Sequence, residues 1–386
     1  MVIVLICAIL LSYSTIETFS FYSAIPYIAL AVFLICALVF RRCLDKRNLG
    51  WMLLWLGYSV FSLAATDGGL GSLAIQLYIM TVILAISNVR VTGAGITLLY
   101  GSAFAVWAVW TVKSPGYFTY FSESLEADID VVNSNTAAEI LLISFSVCLA
   151  LKDFVRIRYM KKRLFTFIMA GATIFGIAQC KSRTTLAVMA LFAAIALVIP
   201  EKFWTRRRIL AVTGAIMAFG TVFPVIYLAM QKYEGFNMMV YHYTGRFAYT
   251  GREQIWSDYY KSFGDSLRLW LLGMGSHAAD SRLTTKWGTN VHNSYLALQM
   301  NFGVIGLLLF SGMIAKLLWS ALAGERDFTI SSYKLRCIFA FWACLMIGYS
   351  EVTLVWSPMI PLSYMMLAIA LNRSVPRMRA KQSVYG

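Results

Sequence analysis

The chain has 386 residues, of which 60% are hydrophobic, and its mean hydropathy is +0.70. Soluble domains contain about 45 to 50% apolar residues, so this composition excludes an ordinary soluble domain and predicts an all-α, polytopic membrane protein. The net charge of +15 does not indicate nucleic-acid binding. Most lysines and arginines fall in alternate loops between apolar segments, as the positive-inside rule requires.

Twelve apolar segments approach the roughly 20 residues that a helix needs to cross hydrocarbon. They lie near residues 2–16, 22–40, 49–64, 71–89, 93–112, 134–151, 164–180, 183–200, 209–230, 292–316, 335–353 and 356–372. The first and third are short, so the number of spans falls to ten or eleven if they do not cross. The first segment lacks a basic leader and a cleavage site, so we expect it to be retained. The charge bias places both termini in the cytoplasm, and residues 1–386 form one membrane domain.

Two segments on the outer side exceed the length of a connecting turn, at 113–132 and 231–291. Long loops on a helical scaffold often carry function. Asp128 and Asp130 in the first segment resemble the Asp-x-Asp element that binds a divalent cation. This acidic loop is better explained as a solvated face, and we expect neither a metal nor another cofactor.

One candidate anion site lies at the start of the apolar segment 183–200. Ser182 is a suitable N-cap residue, and Lys181 and Arg183 flank it. Free amides at a helix N-terminus together with these cations predict an anion site. The alternative is that both cations reach outward to lipid phosphates.

The larger outer segment contains a second candidate. Thr250-Gly251-Arg252-Glu253 fits a capping box and predicts a helix start. Aromatic residues including Trp256 then recur at helical spacing, and we expect this stripe to lie among lipid headgroups. Arg252 stands in the first turn, where the helix dipole disfavours a cation unless an anion is bound. Arg246 repeats the local pattern, and contact of Arg252 with lipid phosphates is the alternative.

A third candidate lies where the next apolar segment begins. With a helix opening near Asn290, His292, Gln299 and Gly303 share one face with Gly306, and the two glycines favour close approach of a neighbouring helix. A helix N-terminus disfavours the imidazolium, so His292 would be neutral and able to accept a proton. A histidine that makes only a loop hydrogen bond is the alternative. Glu351, between the last two spans, is an outer carboxylate able to orient His292 or a sugar.

In order and spacing, these stretches resemble the O-antigen polymerase and O-antigen ligase family of bacterial membrane glycosyltransferases. The similar stretches are Lys181-Ser182-Arg183-Thr184, Gly251-Arg252-Glu253-Gln254-Ile255-Trp256, Leu272-Gly273-Met274-Gly275, and His292-Asn293 followed after nine residues by Gly303-Val304-Ile305-Gly306. The resemblance covers about residues 180 to 310, and the first half of the chain matches only in hydropathy.

The resemblance implies an inverting, metal-independent enzyme of the C-type glycosyltransferase superfamily in the bacterial cytoplasmic membrane, with its active site on the outer face. Its glycosyl donor would be an undecaprenyl-diphosphate-linked oligosaccharide. Arg183 and Arg252 would hold the diphosphate, and His292 would activate the acceptor hydroxyl or contact the diphosphate. Further side chains are expected to bind substrate: Arg246, Lys181, Trp256, Asn293, Gln299 and Glu351.

Two acceptors are compatible with the motifs. A polymerase takes a second lipid-linked repeat unit and is the preferred interpretation, with a chain-length regulator as a possible partner protein. A ligase takes lipid A core. A flippase or transporter of lipid-linked oligosaccharide is the alternative from another class, although such proteins usually place ionisable residues at the membrane midplane.

Overall fold

The computed structural model describes residues 2–15, 46–66, 69–126, 132–155, 159–231, 233–244, 251–275, 291–323, 325, 330–355 and 359–375. All regular structure within these ranges is helical. The α-helices are α1 (Val2–Thr15), α2 (Lys46–Ala65), α3 (Leu70–Asn88), α4 (Gly93–Lys113), α5 (Tyr117–Glu126), α6 (Ser134–Leu151), α7 (Tyr159–Gln179), α8 (Arg183–Ala193), α9 (Arg206–Met230), α10 (Glu234–Thr244), α11 (Arg252–Phe263), α12 (Leu267–Leu272), α13 (Ser294–Ala321), α14 (Ser332–Ile347) and α15 (Ile360–Leu371). Short 3-10 turns follow α6 and precede α9, and a π turn at Ala194–Val198 prolongs α8.

Five of these helices are long and apolar enough to cross a membrane, namely α2 from Asn48 onward, α3, α4, α9 and α13. The helical, membrane-type architecture predicted from composition is therefore found. Eleven of the twelve predicted apolar segments coincide with a described helix, and the twelfth, 22–40, lies outside the described residues. The predicted segment 335–353 ends early, because α14 stops at Ile347 and leaves Glu351 in the turn that leads to α15.

Helix α6 lies at the centre of the bundle. Every residue of α6 except Asn135 is buried, and it packs against α4, α7, α8 and α14. Such complete burial is typical of a helix surrounded by other helices. Asn135 lies in the first turn of α6, so the partly exposed polar residue of this helix is at its N-terminal end. We call this end of the bundle the Asn135 end.

The beginning of α8 lies at the same end. Helix α7 runs antiparallel to α6, since Gly176 near its end abuts Leu141 near the start of α6. After a tight turn, α8 returns parallel to α6, and the rings of Phe192 and Phe145 meet at 6.1 Å between centroids. Arg183 precedes Phe192 by nine residues, about 13 Å along a helix. This offset places Arg183 at the depth of the first turn of α6.

Helix α13 is broken at Gly303, where the backbone has φ 65° and ψ −174°. A Cβ at Gly303 would lie 2.1 Å from the Leu271 carbonyl oxygen, so only glycine lets α12 approach this closely. The Met274 amide donates to the Met300 carbonyl at 2.6 Å beside the break. The predicted close approach is confirmed, with α12 at Gly303 and with Tyr58 of α2 at Gly306. The prediction of a helix that opens near Asn290 is wrong, because α13 begins only at Ser294.

Candidate active site

Three of the side chains selected from the sequence form one cluster at the Asn135 end. The carboxylate of Glu351 pairs through Oε1 with Arg252 Nη2 and through Oε2 with His292 Nδ1 at 3.2 Å. The three side chains come from the turn after α14, the start of α11 and the segment before α13. Their exposed fractions are 15%, 20% and 27% for Glu351, Arg252 and His292. The cluster is sheltered but reachable.

Glu351 is the negative centre of the cluster. Burial opposes ionisation of its carboxyl group, but the positive charge of Arg252 and the hydrogen bond from His292 outweigh that cost, so the pKa of Glu351 lies below its ordinary value. Asn135 also donates through Nδ2 to Oε1 at 3.0 Å. Glu351 is therefore an ionised carboxylate at neutral pH.

The ionised state of Glu351 fixes the tautomer of His292. A carboxylate only accepts hydrogen bonds, so Nδ1 of His292 must carry the proton that it donates to Glu351. In the neutral imidazole, Nε2 is then the nitrogen that carries the ring lone pair and not a proton. The arrangement makes His292 a base at Nε2.

The backbone holds His292 in an uncommon conformation. Its φ of 46° lies in the left-handed region, which costs a non-glycine residue about 1 to 2 kcal/mol. The neighbours on both sides fix it there. Trp256 Nε1 donates to the Val291 carbonyl at 2.7 Å, while Asn293 caps the Leu296 amide through Oδ1 at 2.7 Å. Strain of this kind is found where the surrounding structure determines a functional position.

Ser294 ties the histidine segment to the turn that carries Glu351. Its amide donates to the Gly348 carbonyl at 2.8 Å, and its hydroxyl donates to the Glu351 carbonyl at 2.8 Å. The same hydroxyl accepts from the Leu354 amide at 3.1 Å. These bonds keep His292 and Glu351 in a fixed relation, although 59 residues separate them.

Helix α11 begins at Arg252, one residue later than the capping pattern predicts, because the N-cap is Gly251 and not Thr250. The Glu253 carboxylate turns back to accept from the Gly251 amide at 3.1 Å. The expected headgroup location of the aromatic stripe is wrong. Trp256 and its neighbours on the stripe are buried against Val291 and the first turns of α13, because the apolar face of α11 has protein to pack against.

The α8 site is only partly as predicted. Ser182 is the N-cap residue, but its hydroxyl contacts the Thr185 hydroxyl at 2.9 Å and makes no capping bond to an amide. Lys181 has a left-handed backbone with φ 53°, and its ammonium lies 4.5 Å from the centre of the Phe118 ring. Arg183 lies at the depth of Asn135 and is partly exposed. Its part in substrate binding stays a prediction.

The other selected residues have different positions. Trp256, Asn293 and Gln299 are 1%, 0% and 6% exposed, and the bonds of Trp256 and Asn293 beside His292 reassign these two from substrate contact to support of the cluster. Asn293 gives the clearest case, since its amide nitrogen also donates to the Tyr349 carbonyl at 2.7 Å. Arg246 lies outside the described residues, as do Asp128 and Asp130.

Sequence reasoning missed two residues of α6 that contact this region. Asn135 donates to Glu351, and Glu139 accepts from the Thr353 hydroxyl at 3.3 Å. They stand four residues apart and so share one face of the helix. An ionisable residue inside an apolar segment is itself a signal of function, so Glu139 was identifiable from its position in 134–151.

The cluster combines a permanent cation with a base. A guanidinium forms paired hydrogen bonds with phosphate oxygens, and among the described residues Arg252 makes its ion pair through one nitrogen, Nη2, which leaves donors on the others. His292 Nε2 is suited to accept a proton from a hydroxyl group. The geometry therefore fits transfer of a group from a phosphate leaving group to an alcohol.

No protein-family model and no curated protein matches this chain.

Proposed function

We propose that this protein is a membrane glycosyltransferase that extends a bacterial polysaccharide such as O-antigen, capsule or exopolysaccharide. It transfers a glycan from undecaprenyl diphosphate to a second lipid-linked repeat unit, at the outer face of the cytoplasmic membrane. The observation that carries the proposal is the bridge of Glu351 between Arg252 and His292. The twelve spans and the cytoplasmic termini expected from the sequence belong to the same proposal.

The cluster supports an inverting displacement. The acceptor hydroxyl attacks the anomeric carbon of the donor sugar, opposite the diphosphate. As the new glycosidic bond forms, the bond from that carbon to the diphosphate oxygen breaks, and undecaprenyl diphosphate leaves with the electron pair. The hydroxyl proton passes to Nε2 of His292. Glu351 stabilises the imidazolium that results, as carboxylates do in other catalytic dyads.

The arginines supply the charge that this reaction needs. Negative charge grows on the diphosphate in the transition state, and positioned cations stabilise it. Arg252 is fixed by Glu351 beside the base, and Arg183 lies at the same depth of the bundle. We assign Arg252 to the leaving phosphate and Arg183 to the second phosphate of the carrier.

The proposal is tested with purified protein supplied with undecaprenyl-diphosphate-linked repeat units, and the product lengths are separated by electrophoresis. Wild-type protein should give a ladder of products. His292→Ala and Arg252→Ala should give none, because each removes a group that acts in the transition state. His242→Ala and Lys261→Ala are the matched controls, since His242 is the other described histidine and Lys261 is exposed on the same helix as Arg252. Full ladders from both site variants would refute the proposal.

The acceptor distinguishes a polymerase from a ligase. The same preparation is given lipid A core as acceptor in place of the second repeat unit. A single addition to lipid A core without elongation would assign the chain as an O-antigen ligase. Elongation only with lipid-linked acceptor would support the polymerase.

A flippase for lipid-linked oligosaccharide remains the second candidate, and one observation favours it. Glu139 is an ionisable residue buried in the core helix α6, a position common in transporters. Flipping is measured with a fluorescent lipid-linked glycan in proteoliposomes. Flipping that persists in His292→Ala and is lost in Glu139→Gln would favour the flippase. Product formation that is lost in His292→Ala and persists in Glu139→Gln would favour the glycosyltransferase.

A further inference from the structure

Glu139 lies on α6 one helical turn after Asn135, close to the cluster of Glu351, Arg252 and His292, and has an incomplete set of hydrogen bonds. Its side chain is 2% exposed, and Oε2 accepts from the Thr353 hydroxyl at 3.3 Å. Among the described residues, Oε1 has no hydrogen-bond partner. Asn135, one helical turn earlier, donates to Glu351. Helix α6 thus contacts the same turn at two points, Glu351 and Thr353.

A negative charge on Glu139 would be unfavourable at this position. A buried carboxylate is stable only when it is paired with a cation and hydrogen-bonded. The nearby guanidinium of Arg252 is already paired with Glu351. A second anion beside Thr353, two residues along the chain from Glu351, would repel that carboxylate and compete for Arg252.

We propose that Glu139 is a protonated carboxylic acid and a positioning residue for Glu351. In this form Glu139 accepts from Thr353 without adding charge, and Glu351 remains the one carboxylate that faces Arg252 and His292. The hydrogen bond fixes the turn from α14 to α15. Ser363 supports the turn from the other side, where its hydroxyl donates to the Thr353 carbonyl at 3.0 Å. The consequence for activity rests on the proposed function, whereas the protonation state and the positioning do not.

The protonation state is tested by infrared spectroscopy of the purified protein at neutral pH. Wild-type protein should have the C=O stretching band of a protonated, buried carboxyl group. This band should disappear in Glu139→Gln and persist in Glu351→Gln and in Glu123→Gln, which alters an exposed carboxylate of α5. Absence of the band from wild-type protein, or its survival in Glu139→Gln, would overturn the proposal.

The positioning is tested by nitrogen NMR of protein labelled at its three histidines. The Nδ1 resonance of His292 reports its hydrogen bond to Glu351. This resonance should be unchanged in Glu139→Gln, which is neutral and can still accept from Thr353. It should shift in Glu139→Ala and in Thr353→Val, and the valine variant preserves volume if the alanine variant fails to fold. An unchanged resonance in Thr353→Val, or a shifted one in Glu139→Gln, would contradict a positioning role.

The glycan-transfer assay adds the functional consequence. Glu139→Gln should keep the wild-type rate, while Thr353→Val should lower kcat about fivefold with little change in KM, since a neutral hydrogen bond contributes about 1 kcal/mol. If Glu139→Gln is as inactive as His292→Ala, the acidic proton or the charge of Glu139 is required and the proposal is wrong. If the wild-type protein transfers no glycan, the proposed function fails, and the infrared and NMR results still decide on Glu139.

Discussion

Two ionic clusters lie at opposite ends of the core helices α6 and α14, and they are built in opposite ways. At the Asn135 end, one carboxylate, Glu351, lies between Arg252 and His292. At the other end, one guanidinium, Arg336, pairs through Nη1 with Asp153 and through Nη2 with Glu201 at 3.0 Å. One cluster has more basic groups than acidic groups, and the other has the reverse.

The difference in charge is the one expected between the proposed substrate site and a structural contact. Arg336 joins the end of α6, the turn after α8 and the start of α14, and its charge is fully compensated by two acids. Arg252 shares one acid, Glu351, with His292, so acids do not outnumber basic groups at this end and do not repel an anionic ligand. Both described non-glycine residues with left-handed backbone, Lys181 and His292, also belong to the Asn135 end. A guanidinium that is not outnumbered by acids and a strained backbone therefore coincide there.

The sharpest test of this contrast exchanges one carboxylate for an amide at each end. Glu351→Gln should lower kcat for glycan transfer by about 10² to 10⁴, because His292 loses the carboxylate that sets its tautomer and stabilises the imidazolium. Glu201→Gln is the matched control and should leave kcat and KM near wild type. Comparable losses in the two variants would show that both clusters act through stability alone.

For stability we expect the reverse, a loss caused by changes in the Arg336 cluster. Arg336→Ala removes a largely buried cation, 14% exposed, and leaves the partly exposed acids Asp153 and Glu201 without it. Removal of one partner of a fully buried ion pair costs about 3 to 5 kcal/mol, and the partial exposure of the two acids lowers that cost here. Thermal unfolding in detergent should therefore occur at a clearly lower temperature, while the fraction that remains folded keeps its kcat. A loss of kcat in folded Arg336→Ala protein would mean that the Arg336 cluster contributes to catalysis, which would contradict the contrast.

Some of the site was predictable because its signals are local. The sequence around Arg252 contains its own helix-start pattern, and α11 begins at that residue. His292 was recognisable beside an apolar segment and a pair of glycines. Glu351 was selected only as an outer carboxylate, and no local pattern connected it with either residue.

The remainder depended on contacts between distant parts of the chain. The left-handed backbone of His292 follows from bonds to Trp256 and to the turn after α14, which lie far away in sequence. The aromatic stripe of α11 has the same periodicity whether it faces lipid or protein, so periodicity alone did not reveal its burial. The break at Gly303 likewise depends on α12 packing against it.

A smaller effect is expected from the strain at Lys181. Asparagine adopts left-handed backbone more readily than lysine, so Lys181→Asn should raise the free energy of unfolding by about 0.5 to 1 kcal/mol. If the ammonium binds substrate, KM for the lipid-linked donor should rise in the same variant. Lys202→Asn, an exposed lysine in the short turn before α9, is the control and should change neither quantity. A drop in stability would mean that the contact with Phe118 outweighs the strain.

The smallest expected effect is the acid dependence that Glu351 gives to the Asn135 end. Its pKa in the folded protein is below the ordinary value of 4.5, so the unfolded state binds this proton more readily. The stabilisation from Glu351 is therefore fully present above about pH 4.5 and is lost as the pH falls through the lower, folded-state pKa. Denaturation midpoints of wild-type protein and Glu351→Gln, measured from neutral to acid pH, should converge at the acid end. Arg252 and His292 together hold the Glu351 carboxylate. If the difference between the two denaturation midpoints stayed constant with pH, the ionised carboxylate would not be stabilised by this pair. The contrast between the two clusters would then rest on geometry without charge.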